Sequence, residues 1–217
     1  MLRMAMISLL SLLLITIPAA AQNPEEDEEA RERLQRLGYR FTGEDFVAAA
    51  ETGDLSAVEL YLIAGMDPNV SGAGTAPAIT RAAEEGHSSI VERLITYGAD
   101  VNAIDPQTNK TALFYAVENE HPETARILLK YGADPNTKGP DGLTPLMVVA
   151  ESGEPELVRL LLRSGADIDA RAENGWTALA FAESAGNRAS LYELQNWYAL
   201  THPDLPIIPD AHIILFR

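Results

Sequence analysis

Apolar residues in this chain come in short groups closed by polar turns, at helical rather than alternating spacing. Leu157, Val158, Leu160, Leu161 and Leu162 make a wide stripe on one side of a helix. Pro122 and Pro155 stand where such helices would begin, and Glu123 and Glu156 follow in the first turn, facing the positive end of the peptide dipoles. Gly65, Gly98, Gly132 and Gly165 come after the apolar groups and predict left-handed helix stops. The pattern predicts units of two short antiparallel helices, neither long enough to be stable alone, so unit-on-unit packing must hold them. Ahead of these units, residues 24–36 read as acidic and then helical, with Leu34 and Leu37 as apolar contacts and Gly38 as the stop. Residues 22–28 are expected to be mobile. Thr42 and Asp45 suit a helix start, and Phe41 and Phe46 have the spacing of a hydrophobic staple.

The pattern repeats. Gly65-Met66-Asp67-Pro68-Asn69 returns at Gly98, Gly132 and Gly165, with offsets of 33, 34 and 33 residues. The extra residue falls in the polar stretch AIDPQTNK (residues 103–110), where an insertion is expected to lie on the surface at little cost. A second phrase recurs in step: AAETGD, AAEEGH, AVENEH and VAESGE, starting at Ala49, Ala82, Ala116 and Val149. Each carries a Glu in third place: Glu51, Glu84, Glu118 and Glu151.

These residues resemble the ankyrin repeat, with its T-P-L helix start, second apolar helix and G-A-D-x-N ending. The clearest copy runs from Asp141-Gly142-Leu143-Thr144-Pro145-Leu146 to Asp169. The resemblance covers residues 43–200 and implies an all-α solenoid of about five helix-turn-helix units joined by hairpin-like loops. The chain departs from the pattern at Gly43-Glu44-Asp45, at Pro77-Ala78-Ile79, at Glu120 in place of a turn glycine, and in the fifth unit, which lacks a G-A-D ending. Divergent end units are expected of a stack that must show two faces to water.

Composition narrows the function. Of 217 residues, 16 are basic and 32 acidic, a net charge of -16 that disfavours nucleic acid and favours a basic partner. Residues 1–21, with Arg3, the apolar run MAMISLLSLLLITI and Pro18-Ala19-Ala20-Ala21, read as a secretory signal peptide cleaved after Ala21. Its removal takes away Arg3 and leaves the mature chain at -17. No membrane span is expected after cleavage, and the absence of Cys excludes disulfides, thiol nucleophiles and Cys-ligated zinc. A periplasmic or secreted monomer is the expectation. Residues 22–42 form an acidic segment and capping helix. Residues 201–217 form a tail with three prolines and the apolar AHIILF, expected to fold over the last helices or to offer a strand to a partner.

No catalytic constellation, cofactor site or metal site is expected. His87 and His121 occupy corresponding turn positions, where the ankyrin resemblance implies packing. The calcium-like Asp134-x-Asn136-x-Lys138-Gly139 places Lys where an oxygen ligand belongs. Ser71-Gly72-Ala73-Gly74 lacks the strand and Lys of a phosphate loop.

Surface recognition remains. The resemblance implies binding through loop tips, here residues 70–75, 103–110, 137–143 and 170–176, and through a concave face near Glu51, Glu84, Glu118, Asn119 and Glu151. Leu143 and Trp176, 33 residues apart, should be neighbours on one edge, with Trp176 a candidate hot spot. At the roughly 10 Å spacing the resemblance implies, neighbouring glutamates repel by only about 0.4 kcal/mol in water. Each Glu nevertheless sits at the unfavourable end of its helix dipole, at a cost of about 0.3–1 kcal/mol. The expected function is a non-enzymatic binding module for a basic or mixed-charge protein, protecting or inhibiting a periplasmic enzyme or toxin. The alternative is an envelope adaptor docking through its C-terminal tail.

Overall fold

Each expected unit is an inner helix, a tight turn and an outer helix. The computed structural model of the protein describes residues 24–71 and 76–202, so the signal-peptide reading, its cleavage site, residues 72–75 of the loop tip at 70–75, including Gly72-Ala73-Gly74 of the Ser71-Gly72-Ala73-Gly74 stretch, and residues 203–217 of the tail lie outside the described residues. The pairs are α2 (Gly43–Glu51) with α3 (Leu55–Ile63), α4 (Ala78–Glu84) with α5 (Ser88–Thr96), α6 (Ala112–Glu118) with α7 (Pro122–Lys130), α8 (Pro145–Ser152) with α9 (Pro155–Arg163), and α10 (Ala178–Ala185) with α11 (Arg188–Thr201). A further helix, α1 (Pro24–Arg36), packs against α3.

The inner helices stack in order, α2 on α4, α6, α8 and α10. Small side chains let them approach: Ala49, Ala50, Ala82, Ala83, Ala116, Ala150, Ala178 and Ala182 are all buried. The outer helices supply the larger groups, with Val58, Val91, Leu94, Leu128, Val158, Leu161 and Leu194 completing one continuous core. Starts are capped locally. Thr42 accepts from the Asp45 N–H at 3.2 Å, Asp54 from Ala57 at 2.9 Å, and Thr111 from Phe114 at 3.2 Å.

The G-A-D-x-N phrase fastens one unit to the next. Its Asp accepts from the backbone two residues on, as in Asp100 from Asn102 and Asp134 from Asn136, each at 2.9 Å. Its Asn reaches across. Asn69 donates to the Gly98 carbonyl at 3.1 Å and accepts from the Asp100 N–H at 2.8 Å, and Asn136 does the same with Gly165 at 3.0 Å and Asp167 at 2.7 Å. In the fourth copy this residue is Asp169. Its carboxylate instead lies 3.2 Å from Nε2 of His202, just past the end of α11.

Three expectations are corrected. Helix α1 already begins at Pro24, so the acidic stretch through Glu28 is helical where a mobile lead-in was expected. Leu34 is buried, but Leu37 is 60% exposed, because α1 ends before it and Ala30 takes the second core position. The stretch at 103–110 is not a neutral surface insertion. It folds into a hairpin, β1 (Ile104–Asp105) paired antiparallel with β2 (Lys110–Thr111), and carries Asp105 into the stack with none of its surface exposed. Phe41 and Phe46 meet through a third ring, Tyr61, at centroid distances of 5.9 and 5.5 Å.

Candidate interaction surface

Glu51, Glu84 and Glu118 are the last residues of α2, α4 and α6, and Glu151 is the last but one of α8. A carbonyl in the final turn of a helix has no partner in its own helix. The next unit supplies one. Nε2 of His87 lies 3.0 Å from the Glu51 carbonyl oxygen and Nε2 of His121 3.0 Å from that of Glu84, so each imidazole carries its hydrogen on Nε2. The Asn187 side-chain amide donates to the Glu151 carbonyl. These contacts explain the glycines of the recurring phrase: a Cβ on Gly53 would come 2.7 Å from the His87 ring, and one on Gly86 2.7 Å from that of His121.

The four carboxylates are not equivalent. Glu84 is half-buried and paired with Arg81 at 2.5 Å, and Glu118 is paired with Lys110 at 2.5 Å. Glu51 and Glu151 are exposed and make no ion pair among the described residues. Asn119, the residue capping α6, is exposed, and its side-chain amide donates to the Tyr115 carbonyl of its own helix at 3.1 Å.

Behind Glu84 and Glu118 lies a buried polar network. The Tyr115 hydroxyl donates to the Asp105 carboxylate at 2.7 Å, the Gln107 N–H donates to it at 2.9 Å, and Arg81 stands 3.9 Å away. Thr108 Oγ1 is 2.7 Å from the Tyr115 hydroxyl. Lys110 lies over the rings of Phe114 and Tyr115, 5.5 and 5.3 Å from their centroids. Burial pushes the Asp105 carboxyl up, but the bonds from Tyr115, Gln107 and Thr108 together with the Arg81 charge outweigh it and hold the group below the usual carboxylate value. Burial is also the chief reason that the Tyr115 hydroxyl is pushed up to about 12, so it stays a donor at neutral pH.

The loop tips are tied together beyond the network. The Glu173 N–H donates to the Asp141 carbonyl at 2.9 Å, and the Lys138 ammonium to that of Arg171 at 3.0 Å. This places the loops bearing Leu143 and Trp176 side by side. Leu143 is half-buried against the core, whereas Trp176 is 38% exposed with its ring edge-on to Phe181 at 5.3 Å. Ile104 on the hairpin is a second exposed apolar tip.

The sequence assigns no individual role to Arg81 or Tyr115, and it marks Asp105 and Lys110 only as members of the loop tip at 103–110. The Arg81–Glu84 pair was signalled by its three-residue spacing on one helix. The Lys110–Glu118 pair becomes visible only once the hairpin brings Lys110 back to α6. Among the described residues, no group of three or more His, Asp or Glu side chains is placed to hold a metal ion, and no helix is long and apolar enough to cross a membrane.

Two family models match the chain: "Ankyrin repeats (3 copies)" over residues 46–139 and "Ankyrin repeats (many copies)" over residues 128–182. A curated ankyrin repeat-containing protein of Treponema pallidum (strain Nichols) is 32% identical over 119 residues, 55% of this chain. The matched stretch spans 40% of that protein's own length.

Proposed function

Because residues 46–182 belong to the ankyrin-repeat family, which makes the chain a protein-interaction module, we propose that it holds a mixed-charge protein in the cell envelope without catalysing a reaction. The observation that carries the charge reading is the uneven row. Arg81 and Lys110 neutralise its middle at Glu84 and Glu118, while Glu51 and Glu151 are left to solvent. A partner therefore meets fixed positive and negative groups at the centre and unpaired carboxylates toward both ends. A uniformly basic partner would face repulsion from Arg81 and Lys110; a mixed one would not.

The contact surface comprises the ends of the inner helices and the tips at Ile104 and Trp176, which add exposed apolar groups. The envelope location is inferred from residues 1–21, which read as a secretory signal. An exported enzyme or toxin, protected or inhibited by being covered, is the partner class favoured by that location and by the net charge of -16.

The test is capture of partners from the envelope fraction of the source cells by the tagged chain, at low and high salt. Glu51→Lys and Glu151→Lys should weaken capture and flatten its salt dependence, while Trp176→Ala weakens it without changing that dependence. Undiminished capture by the double charge reversal would refute the assignment of the row. Loss of capture on deleting residues 203–217, with the row variants unaffected, would move the contact to the C-terminal tail.

A further inference from the structure

Five units meet at four junctions, and three of these are fastened in the same two ways. At the inner turns, His87, His121 and Asn187 bond back to the preceding unit at the first, second and fourth junctions. Along the outer helices, Arg93 pairs with Glu59 at 2.7 Å across the first junction. Lys130 and the Tyr131 hydroxyl meet Glu92 at 3.4 and 3.1 Å across the second, and Arg159 meets Glu193 at 2.8 Å across the fourth.

The third junction, between α6–α7 and α8–α9, has neither fastening among the described residues. Its inner turn carries Glu120 where the other junctions have Gly, and Glu154 where they have His or Asn. Glu120 holds the left-handed turn at φ 58°, a conformation unfavourable for a residue with a Cβ. The two departures belong together. A Cβ at this turn would clash with an imidazole from the next unit, as the Gly53 and Gly86 contacts show, so the side chain at 120 and the missing ring at 154 accommodate each other.

On the outer face, Arg126 stands where Glu59 and Glu92 stand in the first two units, and its counterpart one unit on is Arg159. Arg126 pairs within its own helix, with Glu123 at 3.4 Å. The inner-helix contact of α6 with α8 is the sparsest of the four, and α7 meets α9 about as sparsely as α3 meets α5. The Asn136 bonds, the Asn109 amide donating to the Lys138 carbonyl at 3.5 Å, the Phe114 ring against Gly139 and the contact of α6 with α8 remain to hold this junction.

We infer that the third junction is a built-in hinge at which the last two units separate from the first three. In a stack stabilised by nearest-neighbour contacts, the weakest interface sets where cooperativity breaks. Glu118 and Glu151 lie on either side of it, so opening the hinge changes their separation.

Both tryptophans, Trp176 and Trp197, lie beyond this junction, so indole fluorescence reports on the last two units while far-ultraviolet dichroism reports on all the helices. In urea, the full chain should show two separated midpoints. Fluorescence should change first, because two units fall short of the roughly three that a stable stack needs. A single coincident transition overturns the inference. Glu120→Gly combined with Glu154→His installs the fastening used at the first two junctions and should bring the midpoints together. An undiminished separation in that folded double variant also overturns it. Should the double variant lose its helical dichroism, the comparison of midpoints in the parent chain still decides.

Discussion

The Tyr115 hydroxyl and the Asp105 carboxylate meet at 2.7 Å inside the stack, joining an inner helix to the hairpin that precedes it. Asp105 is a wholly buried carboxylate held by donors from its own hairpin, from α6 and, more distantly, from Arg81 on α4.

The first expected outcome concerns pH. The folded Asp105 carboxyl is held below its ordinary value, so its contribution to stability is complete above the unfolded value of about 4 and is lost as pH falls through the folded value. Urea midpoints recorded from about pH 6 down to pH 2 should fall across this acid limb, and Asp105→Asn should make the fall shallower. Tyr115→Phe should cost about 1–3 kcal/mol at neutral pH, because it removes a donor from a buried carboxylate.

Gly86→Ala tests the close approach between units. The new methyl meets the His121 ring at 2.7 Å, in a backbone conformation of φ 73° that already disfavours a side chain. A loss of about 2 kcal/mol or more is expected by urea denaturation, of which about 1–2 kcal/mol is backbone strain. Gly98→Ala, where a Cβ meets nothing, should lose only the strain.

Asn136→Ala removes the two bonds that this side chain makes across the third junction, the donor to Gly165 and the acceptor for Asp167. The expected cost is about 1–3 kcal/mol, with a wider separation between the fluorescence and dichroism transitions. Asn69→Ala, at a junction also fastened by His87 and the Arg93–Glu59 pair, should lower stability without widening that separation.

Lys110→Ala exposes the charge of Glu118 and takes a cation from the middle of the row. Stability should fall by about 1–2 kcal/mol, because the change removes both a partly solvated ion pair and a cation held over the Phe114 and Tyr115 rings. Capture of a cationic peptide on a sensor surface should strengthen and become steeper in salt.

The stack was legible because its signals are local and repeated. The left-handed glycines, the proline helix starts and the Asp-x-Asn turns each depend on neighbours within a few residues, and the period of 33 or 34 supplies every copy as a check on the others. The glutamate row was placed for the same reason. Its electrostatics were not legible, since Glu118 is neutralised by a lysine on another element whose position depends on the hairpin at 104–111. Asp105 was hidden because a carboxylate in a polar insertion gives no local sign that Tyr115 will fold over it. The outcome at Leu37 has a similar cause: helical spacing made it an apolar contact, but α1 ended one residue earlier.

The residue that closes each Asp-x-Asn turn also governs how such an array can lengthen. An amide there can both donate and accept, so Asn69, Asn102 and Asn136 each suit a position where the following unit carries its own G-A-D turn. Asp169 cannot donate to a following carbonyl and faces His202 instead. A duplication within the Asn-bounded units would therefore join at once, whereas a copy carrying its own G-A-D turn and placed between Asp169 and the fifth unit would first need an amide there and the release of His202. Growth of the array is easy among its first four units and blocked ahead of the fifth by a single change from amide to acid.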